Sequence, residues 1–323
     1  MKVFITGAAG FLGRETVFAA LRRGWEVTAV LHETRAFFPP EVRKITRDLS
    51  QENALDDLVL QEFPDAIINC AAVPNIAAAE KNPELAERLN VRLPSRLAQL
   101  CNHVSARLVH VSTDAVFDGD HAPYGHTDVP APRNFYAQTK LHGEVETLKF
   151  ARGNATIVRT SLISGNSPAG TKSLHERLFE QWAAGTPTAL FTDEIRQPVS
   201  VKNFAEVLVE LCERPNLTGV YHWAGAEALS RYEIGARIAR HFGLDVEKFV
   251  KKSSYADIPA ESAAARSRDL TLSLTPLAEK LKARVQAFDE LLAEMSVPAN
   301  CAQWYEAETG RKVVRRLIRG VDF

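Results

Sequence analysis

The sequence predicts an α/β fold: a doubly wound parallel sheet carrying a second, smaller and discontinuous α/β unit. Three observations lead there. A glycine-spaced turn follows the first apolar run, apolar strands and helical segments alternate regularly as far as Ile163, and the alternation stops between Gly165 and Lys172, where Gly, Ser, Asn and Pro accumulate.

Taken in order, Val3-Phe4-Ile5 is a strand, and Thr6-Gly7-Ala8-Ala9-Gly10-Phe11-Leu12-Gly13 is a turn leading into a helix that begins near Phe11. Gly7 permits the tight turn, Gly10 removes a side chain that would hold backbone away from a phosphate, and Gly13 lets the helix pack on the strand. Gly7, Gly10, Phe11, Leu12 and Gly13 are therefore candidate contacts for a dinucleotide pyrophosphate. Trp25 to Leu31 is a second strand, and Arg43 to Asp48 a third after the break at Phe37-Phe38-Pro39-Pro40. A helix from Asn53 to Phe63, a continuous apolar strand from Asp65 to Cys70, a helix from Pro83 to Cys101 and a strand from Arg107 to Ser112 follow. Tyr136 to Phe150 reads as helix and Thr156 to Ile163 as a sixth strand. Beyond the break, Pro198-Val199-Ser200-Val201 and Gly219-Val220-Tyr221-His222 look like pieces returned to the sheet, with a helix from Asn203 to Cys212 between them. The expected division is residues 1–164 plus about 197–223 as the dinucleotide-binding unit, and about 165–196 plus 224–323 as the substrate-binding unit.

Composition bounds the partners. The chain has 323 residues, 46% hydrophobic and 24% charged, and 39 basic against 40 acidic residues give a formal net charge of −1. Such a balance implies no nucleic-acid partner. Apolar runs such as Ala66 to Pro74 are strand-sized, and Met1-Lys2 runs directly into the first strand, so neither a membrane span nor a signal peptide is expected. Cys70, Cys101, Cys212 and Cys301 are scattered without a C-x-x-C pair, which points to a reduced, cytoplasmic setting. No histidine pair has metal-ligand spacing, and His121 and His126 sit in a loop, so no metal is expected. Arg311 to Arg319 alternates basic and apolar pairs as a helix with a solvated face would.

Two segments carry chemistry. Tyr136-Ala137-Gln138-Thr139-Lys140 puts a phenol and an ammonium four apart, on one helix face, where the cation is expected to pull the tyrosine pKa down toward the range of an acid/base group. Val111-Ser112-Thr113-Asp114 ends a buried strand at its carboxyl edge, so Thr113 can offer a hydroxyl to a substrate oxygen. Asp114 reads equally as a turn-capping carboxylate or a substrate contact. At the end of the second strand the segment is Val30-Leu31-His32-Glu33-Thr34-Arg35. Leu31 stands where an NAD site wants a carboxylate and Arg35 is available for a 2′-phosphate, so NADP(H) is favoured, while an inward Glu33 leaves NAD(H) open.

With these residues on the page, the chain resembles the Rossmann-fold extended short-chain dehydrogenase/reductase family, and within it the dTDP-4-dehydrorhamnose reductase branch. The resemblance runs over nearly the whole chain: Thr6 to Gly13, Asp48-Leu49, Asn69 to Ala72, Asn90, Ser112 to Gly119, Tyr136 with Lys140, Arg159-Thr160-Ser161 and Arg266 to Leu270. It implies that Thr113, Tyr136 and Lys140 form the catalytic set and that Lys140 also holds the nicotinamide ribose. It further implies that Asp48 and Leu49 border the adenine, that Ala71, Ala72 and Val73 line the cofactor's path, and that Asn90 belongs to the cofactor-binding residues. The expected activity is NADP(H)-dependent reduction of a carbonyl, a keto group of a nucleotide sugar in carbohydrate biosynthesis, by a cytoplasmic protein for which a homodimer is open. Three positions depart from the branch: Ala77 replaces its aspartate, Ala115 its tyrosine, and Leu162 its aromatic residue. All three are smaller or less polar, so Asp114 and Leu162 border a pocket for a different activated sugar or another carbonyl compound. Ala115 also stands where related dehydratases carry a glutamate, which disfavours dehydration. A nucleotide-sugar epimerase with retained NAD and a noncatalytic NADP-binding regulatory subunit are the alternatives.

Overall fold

The computed structural model describes residues 1–32 and 36–313. Seven parallel strands form the central sheet: β1 (Lys2–Thr6), β2 (Glu26–Leu31), β3 (Arg43–Thr46), β4 (Ala66–Asn69), β5 (Arg107–Thr113), β6 (Ala155–Thr160) and, later in the chain, β11 (Gly219–Trp223). Their order is β11-β6-β5-β4-β1-β2-β3. The chain starts in the middle, winds outward to β3 and then crosses back to β4. The order therefore reverses between β1 and β4, and such a switch point leaves a crevice at the carboxyl ends of the strands.

Period-two alternation explains both covering layers. Val3 and Ile5 of β1 face α1 (Phe11–Arg22) and α8 (Val201–Cys212), where Val17, Ala20, Phe204 and Leu208 are fully buried. Phe4 points the other way, with Ile67 and Leu108, against α2 (Asp56–Glu62) and α5 (Leu93–Val104). Each fully buried Leu, Ile or Phe here contributes roughly 1.5–3 kcal/mol relative to exposure. The helix carrying the Tyr-Lys pair is α6 (Phe135–Ala151), which packs on α5. Asn134 caps it by accepting the Ala137 N–H at 3.0 Å, and Arg152 ends it with φ 47°.

Several expected elements are cut differently. The helix expected from Asn53 starts at Asp56, because Asn53 takes φ 59°. A helix absent from the sequence reading, α3 (Ile76–Lys81), precedes α4 (Pro83–Glu87). The single helix expected from Pro83 to Cys101 is α4 and α5 joined through a π-helical turn, Arg88–Arg92, closed by the Leu93 N–H donating to the Arg88 carbonyl. Pro94 is the cause: it has no N–H to give to the Asn90 carbonyl, so the helix widens there.

Outside the main sheet lie β7 (Ile163–Ser164) and β10 (Val199–Ser200), and the smaller unit contains α7 (Leu174–Ala183), β8 (Thr188–Phe191), β9 (Ile195–Arg196), β12 (Leu229–Ser230), α9 (Arg231–His241) and β13 (Val250–Ser253). Its core is aromatic: Phe179 and Trp182 of α7 pack with Phe242, Phe249, Phe288 and Tyr305. Of the two segments expected to return to the sheet, Gly219 to His222 does so beside β6, but Val199-Ser200 does not. β11 occupies the edge of β6, so β10 pairs with β7 in a separate two-stranded sheet. At the carboxyl end, the helix Ala302–Thr309 stops at Gly310, φ 69°, so Arg311 to Val313 are not helical as expected. The rest of that basic segment lies outside the described residues. Among the described residues no helix is long and apolar enough to cross a membrane.

Three histidines are fully buried: His110, His175 and His222. Burial holds the His110 imidazole well below 6.5 and pushes His175 and His222 down to about 4. The unfolded chain takes up these protons near pH 6.5 while the folded protein refuses them, so stability is lost as pH falls below 6.5. Each histidine contributes a slope of about 1.4 kcal/mol per pH unit. Urea unfolding at pH 7 and at pH 5 should show a clearly lower midpoint at the acid end; equal midpoints would contradict the neutral burial of these rings.

Candidate active site

The glycine turn opens the crevice. Gly7 has φ +63°, and a Cβ on it would press on the backbone of Cys70 and Ala71 at 2.8–2.9 Å. Gly13 sits on the Gly7 carbonyl, which a Cβ would approach to 2.2 Å. Gly10 is different: its N–H donates to the Gly7 carbonyl at 2.8 Å, and a Cβ there would meet nothing closer than that carbonyl at 3.0 Å. Apart from that one tight contact nothing among the described residues lies within 4 Å of where the Cβ would be, at the N-terminus of a twelve-residue helix with no acidic residue in its first turn. Both the free N–H groups and the helix dipole favour an anion there. Phe11 is partly buried against the core and Leu12 is buried in it.

Asn90 lies behind the crevice. Its carboxamide is fully buried, accepts the Val73 N–H at 2.9 Å and donates to the Val73 carbonyl at 3.2 Å and to Thr139 Oγ1 at 3.0 Å. It therefore holds the Ala71-Ala72-Val73 loop in place from beneath, with both of its amide hydrogens engaged. Asp48 folds its carboxylate back on the Ser50 N–H, the Ser50 hydroxyl and Gln51, which lowers it to about 2; His32 stands 3.7 Å away. Leu49 is buried beside Val30 and Leu55. Arg35 and Glu33, on which the cofactor reading turned, lie outside the described residues.

The reacting groups meet at the end of β5. Thr113 Oγ1 accepts the Ala115 N–H at 3.2 Å and reaches Asp114 Oδ1 at 3.2 Å, and the Tyr136 phenol lies against the same hydroxyl. Lys140 is 3% exposed and donates to the Val111 carbonyl at 2.7 Å. The expected downward pull on Tyr136 is absent. Burial, with the Asp114 charge nearby, pushes the phenol up to about 12, while the neighbouring Thr113 hydroxyl pulls the other way. The Lys140 ammonium is turned to a backbone carbonyl and is itself lowered to about 8 by burial. Asp114 is buried, its carboxyl is raised by desolvation, and Oδ2 has no hydrogen-bond partner among the described residues. Leu162 is turned to the aromatic core of the smaller unit, while its carbonyl accepts the Val199 N–H.

Glu144 and Glu194 are buried carboxylates that escaped the sequence reading. Glu144 follows Lys140 by one turn of α6, a spacing that was legible. Glu194 was not: it gathers Arg196 Nη2 at 3.3 Å from its own segment, and Arg231 Nε at 3.0 Å and Arg266 Nη2 at 2.6 Å from two distant ones. One carboxylate among three guanidiniums leaves a basic wall near Asp114. A cavity of about 400 Å³ opens beside it, lined by Ile76, Ala77, Glu80, Phe191, Ile258 and Arg266 among others. Among the described residues no group of His, Cys, Asp and Glu is arranged to hold a metal ion.

Comparison with known proteins identifies the family. The family model for the RmlD substrate binding domain matches residues 1–300. The methionine adenosyltransferase 2 subunit beta of Xenopus laevis is 34% identical over 248 residues, 75% of this chain and 72% of that protein. The "Probable low-salt glycan biosynthesis reductase Agl14" of Haloferax volcanii is 31% identical over 279 residues, 84% of this chain and 90% of that protein. Among solved structures, a hypothetical dTDP-4-dehydrorhamnose reductase from Sulfolobus tokodaii superposes with a TM-score of 0.77 at 29% identity, covering 92% of this chain and all of its own. The dTDP-4-dehydrorhamnose reductase of Bacillus anthracis, crystallised in complex with NADP, gives 0.74 at 25% identity, covering 91% of this chain and 98% of its own. With the seven-stranded sheet, the glycine turn and the matched model in agreement, the chain belongs to the RmlD substrate binding domain family of extended short-chain dehydrogenases/reductases.

Proposed function

We propose that the protein is an NADP(H)-dependent reductase of a carbonyl group, a keto group of a nucleotide-activated sugar. One observation carries the reading: at the carboxyl end of β5 the Thr113 and Tyr136 hydroxyls stand together beside the crevice, with Lys140 buried on the same helix face as Tyr136. The NADP complex of the Bacillus anthracis structure and the name of the Haloferax relative support it.

The glycine turn fits a dinucleotide, since the one side chain that would fill the space over Gly10 is missing. Gly7, Gly10, Phe11, Leu12 and Gly13 would hold the pyrophosphate, Asp48 and Leu49 the adenine end, Arg35 the 2′-phosphate, Ala71 to Val73 the path between, and Lys140 the nicotinamide ribose. The bound nicotinamide supplies the hydride. Thr113 donates a hydrogen bond to the carbonyl oxygen and orients it. Tyr136, kept protonated by burial, delivers its proton as that oxygen gains charge, and a charged Lys140 offsets the phenolate left behind. Residues 1–164 with about 197–223 form the cofactor half of this assignment and the remainder the substrate half. Ala77 in the cavity wall and Ala115 after Asp114 leave room for a substrate unlike that of the dTDP-4-dehydrorhamnose reductases. A second reading, a noncatalytic NADP-binding subunit, draws on the 34% identity to a methionine adenosyltransferase beta subunit.

Gly10 has φ −74° and ψ 170°, which valine accepts. With a small shift of the Gly7 carbonyl, Gly10→Val should still fold and should abolish NADPH binding in calorimetry; retained affinity in the folded variant would remove the turn from the site. Against activated 4-keto sugars and simpler carbonyls, Tyr136→Phe should keep cofactor affinity and cut turnover by roughly 10²- to 10⁴-fold. Thr113→Val should cost less, and Lys140→Ala should damage affinity and rate together. Tight NADPH binding without turnover of any carbonyl would favour the regulatory subunit. The pH profile offers a third check, because the Lys140 cation is lost as pH rises through about 8. Reduction should decline with a limb centred there, and Lys140→Arg should move that limb to higher pH; a rate that stays level from about pH 7 to about pH 9.5 would contradict the role of Lys140.

A further inference from the structure

On α6, Tyr136, Lys140 and Glu144 stand at successive intervals of four residues and share one face. Glu144 is 2% exposed. Its carboxylate accepts the Ser112 hydroxyl and a two-armed bond from Arg159, at 3.0 and 3.1 Å from Nε and 2.7 Å from Nη2. Ser112 and Arg159 are register partners on β5 and β6, and Ser112 directly precedes Thr113. The Arg159 guanidinium also lies over the Phe117 ring at 5.0 Å. One carboxylate thus joins the helix of Tyr136 and Lys140 to the strand that ends in Thr113.

Holding helix to sheet does not call for charges, because a buried ion pair recovers little more than its own desolvation cost and apolar residues of equal volume do as well. What apolar residues lack is a negative charge one turn from Lys140. The other groups facing that ammonium are neutral. From the residue after β4 comes the Cys70 thiol, pushed up to about 12 by burial; from β5 come the Val111 carbonyl and the His110 imidazole, held well below its usual value; on α6 itself stands the protonated Tyr136. Among the described residues, Glu144 is the ionised group that keeps Lys140 from falling further.

We infer that Glu144 is a positioning residue of this site, one that keeps the buried Lys140 ammonium charged and pins the Thr113 strand against the Tyr136 helix. Its consequence for turnover rests on the reductase reading above, whereas the charge coupling does not.

The full chain, labelled with [ε-¹³C]lysine, allows the Lys140 titration to be followed by NMR, its resonance identified by loss in Lys140→Arg. Glu144→Gln should lower the midpoint by about one pH unit, while Glu144→Asp, which keeps the charge, should stay near wild type. Should the single variant fail to fold with Arg159 left unpaired, Glu144→Gln combined with Arg159→Gln removes both charges. It should lower the midpoint as well, since Arg159 is not among the charges acting on Lys140. At pH 8 the loss of Lys140 charge should weaken NADPH binding by about fivefold. A Lys140 midpoint equal to wild type in either folded glutamine variant overturns the inference. A wild type that binds no NADPH overturns the reductase reading instead, and the titration still decides the role of Glu144.

Discussion

A buried polar row across the three central strands sets the level at which the whole crevice is built. Thr6, Asn69 and His110 are register partners on β1, β4 and β5, and none is more than 1% exposed. Thr6 Oγ1 donates to Asn69 Oδ1 at 2.6 Å, and Asn69 Nδ2 reaches His110 Nδ1 at 3.0 Å. Since Asn69 Oδ1 is already an acceptor, its amide is the donor to the ring, and His110 is neutral with its proton on Nε2. A slip of one residue between these strands would break both bonds and turn every side chain to the wrong face. Locked in this register, the strands release the glycine turn, the Ala71 loop and the Thr113 hydroxyl at one edge of the sheet.

Desolvation then decides the charge state of what gathers there. Burial is the leading influence on Cys70, His110, Asp114, Tyr136 and Lys140, and for each it opposes the ionised form. A phenol held as phenol suits proton delivery. An ammonium brought near neutrality is a poor anchor unless something opposes the trend, and Glu144 does so from within the helix. The same arithmetic operates in the smaller unit, where Glu194 stays ionised despite burial because Arg196, Arg231 and Arg266 surround it.

The fold class, the parallel sheet and the pairing of Tyr136 with Lys140 on one helix face were legible because each rests on local periodicity or on the stereochemistry of a short run. The glycine turn was legible for the same reason: what Gly7, Gly10 and Gly13 permit is decided within eight residues. Helix limits were less so. Asn53 in a left-handed conformation and Pro94 facing the Asn90 carbonyl changed element boundaries through single backbone groups, a finer grain than an apolar pattern records.

What only tertiary structure decided is whatever depends on water being excluded and on distant segments meeting. The sequence places a cation four residues from Tyr136, and by itself that spacing lowers a tyrosine pKa; the folded protein buries the pair, turns the cation to Val111 and raises the tyrosine instead. Asn90 enters the sequence reading only through the family resemblance, and its bonds to the Val73 backbone exist once the fold has formed. Glu194 meets its arginines across gaps of two to more than seventy residues, and β10 is denied the main sheet because β11 already fills the edge. Periodicity along a chain specifies which face a side chain is on, but dielectric surroundings and long-range partners exist once the faces have closed on one another.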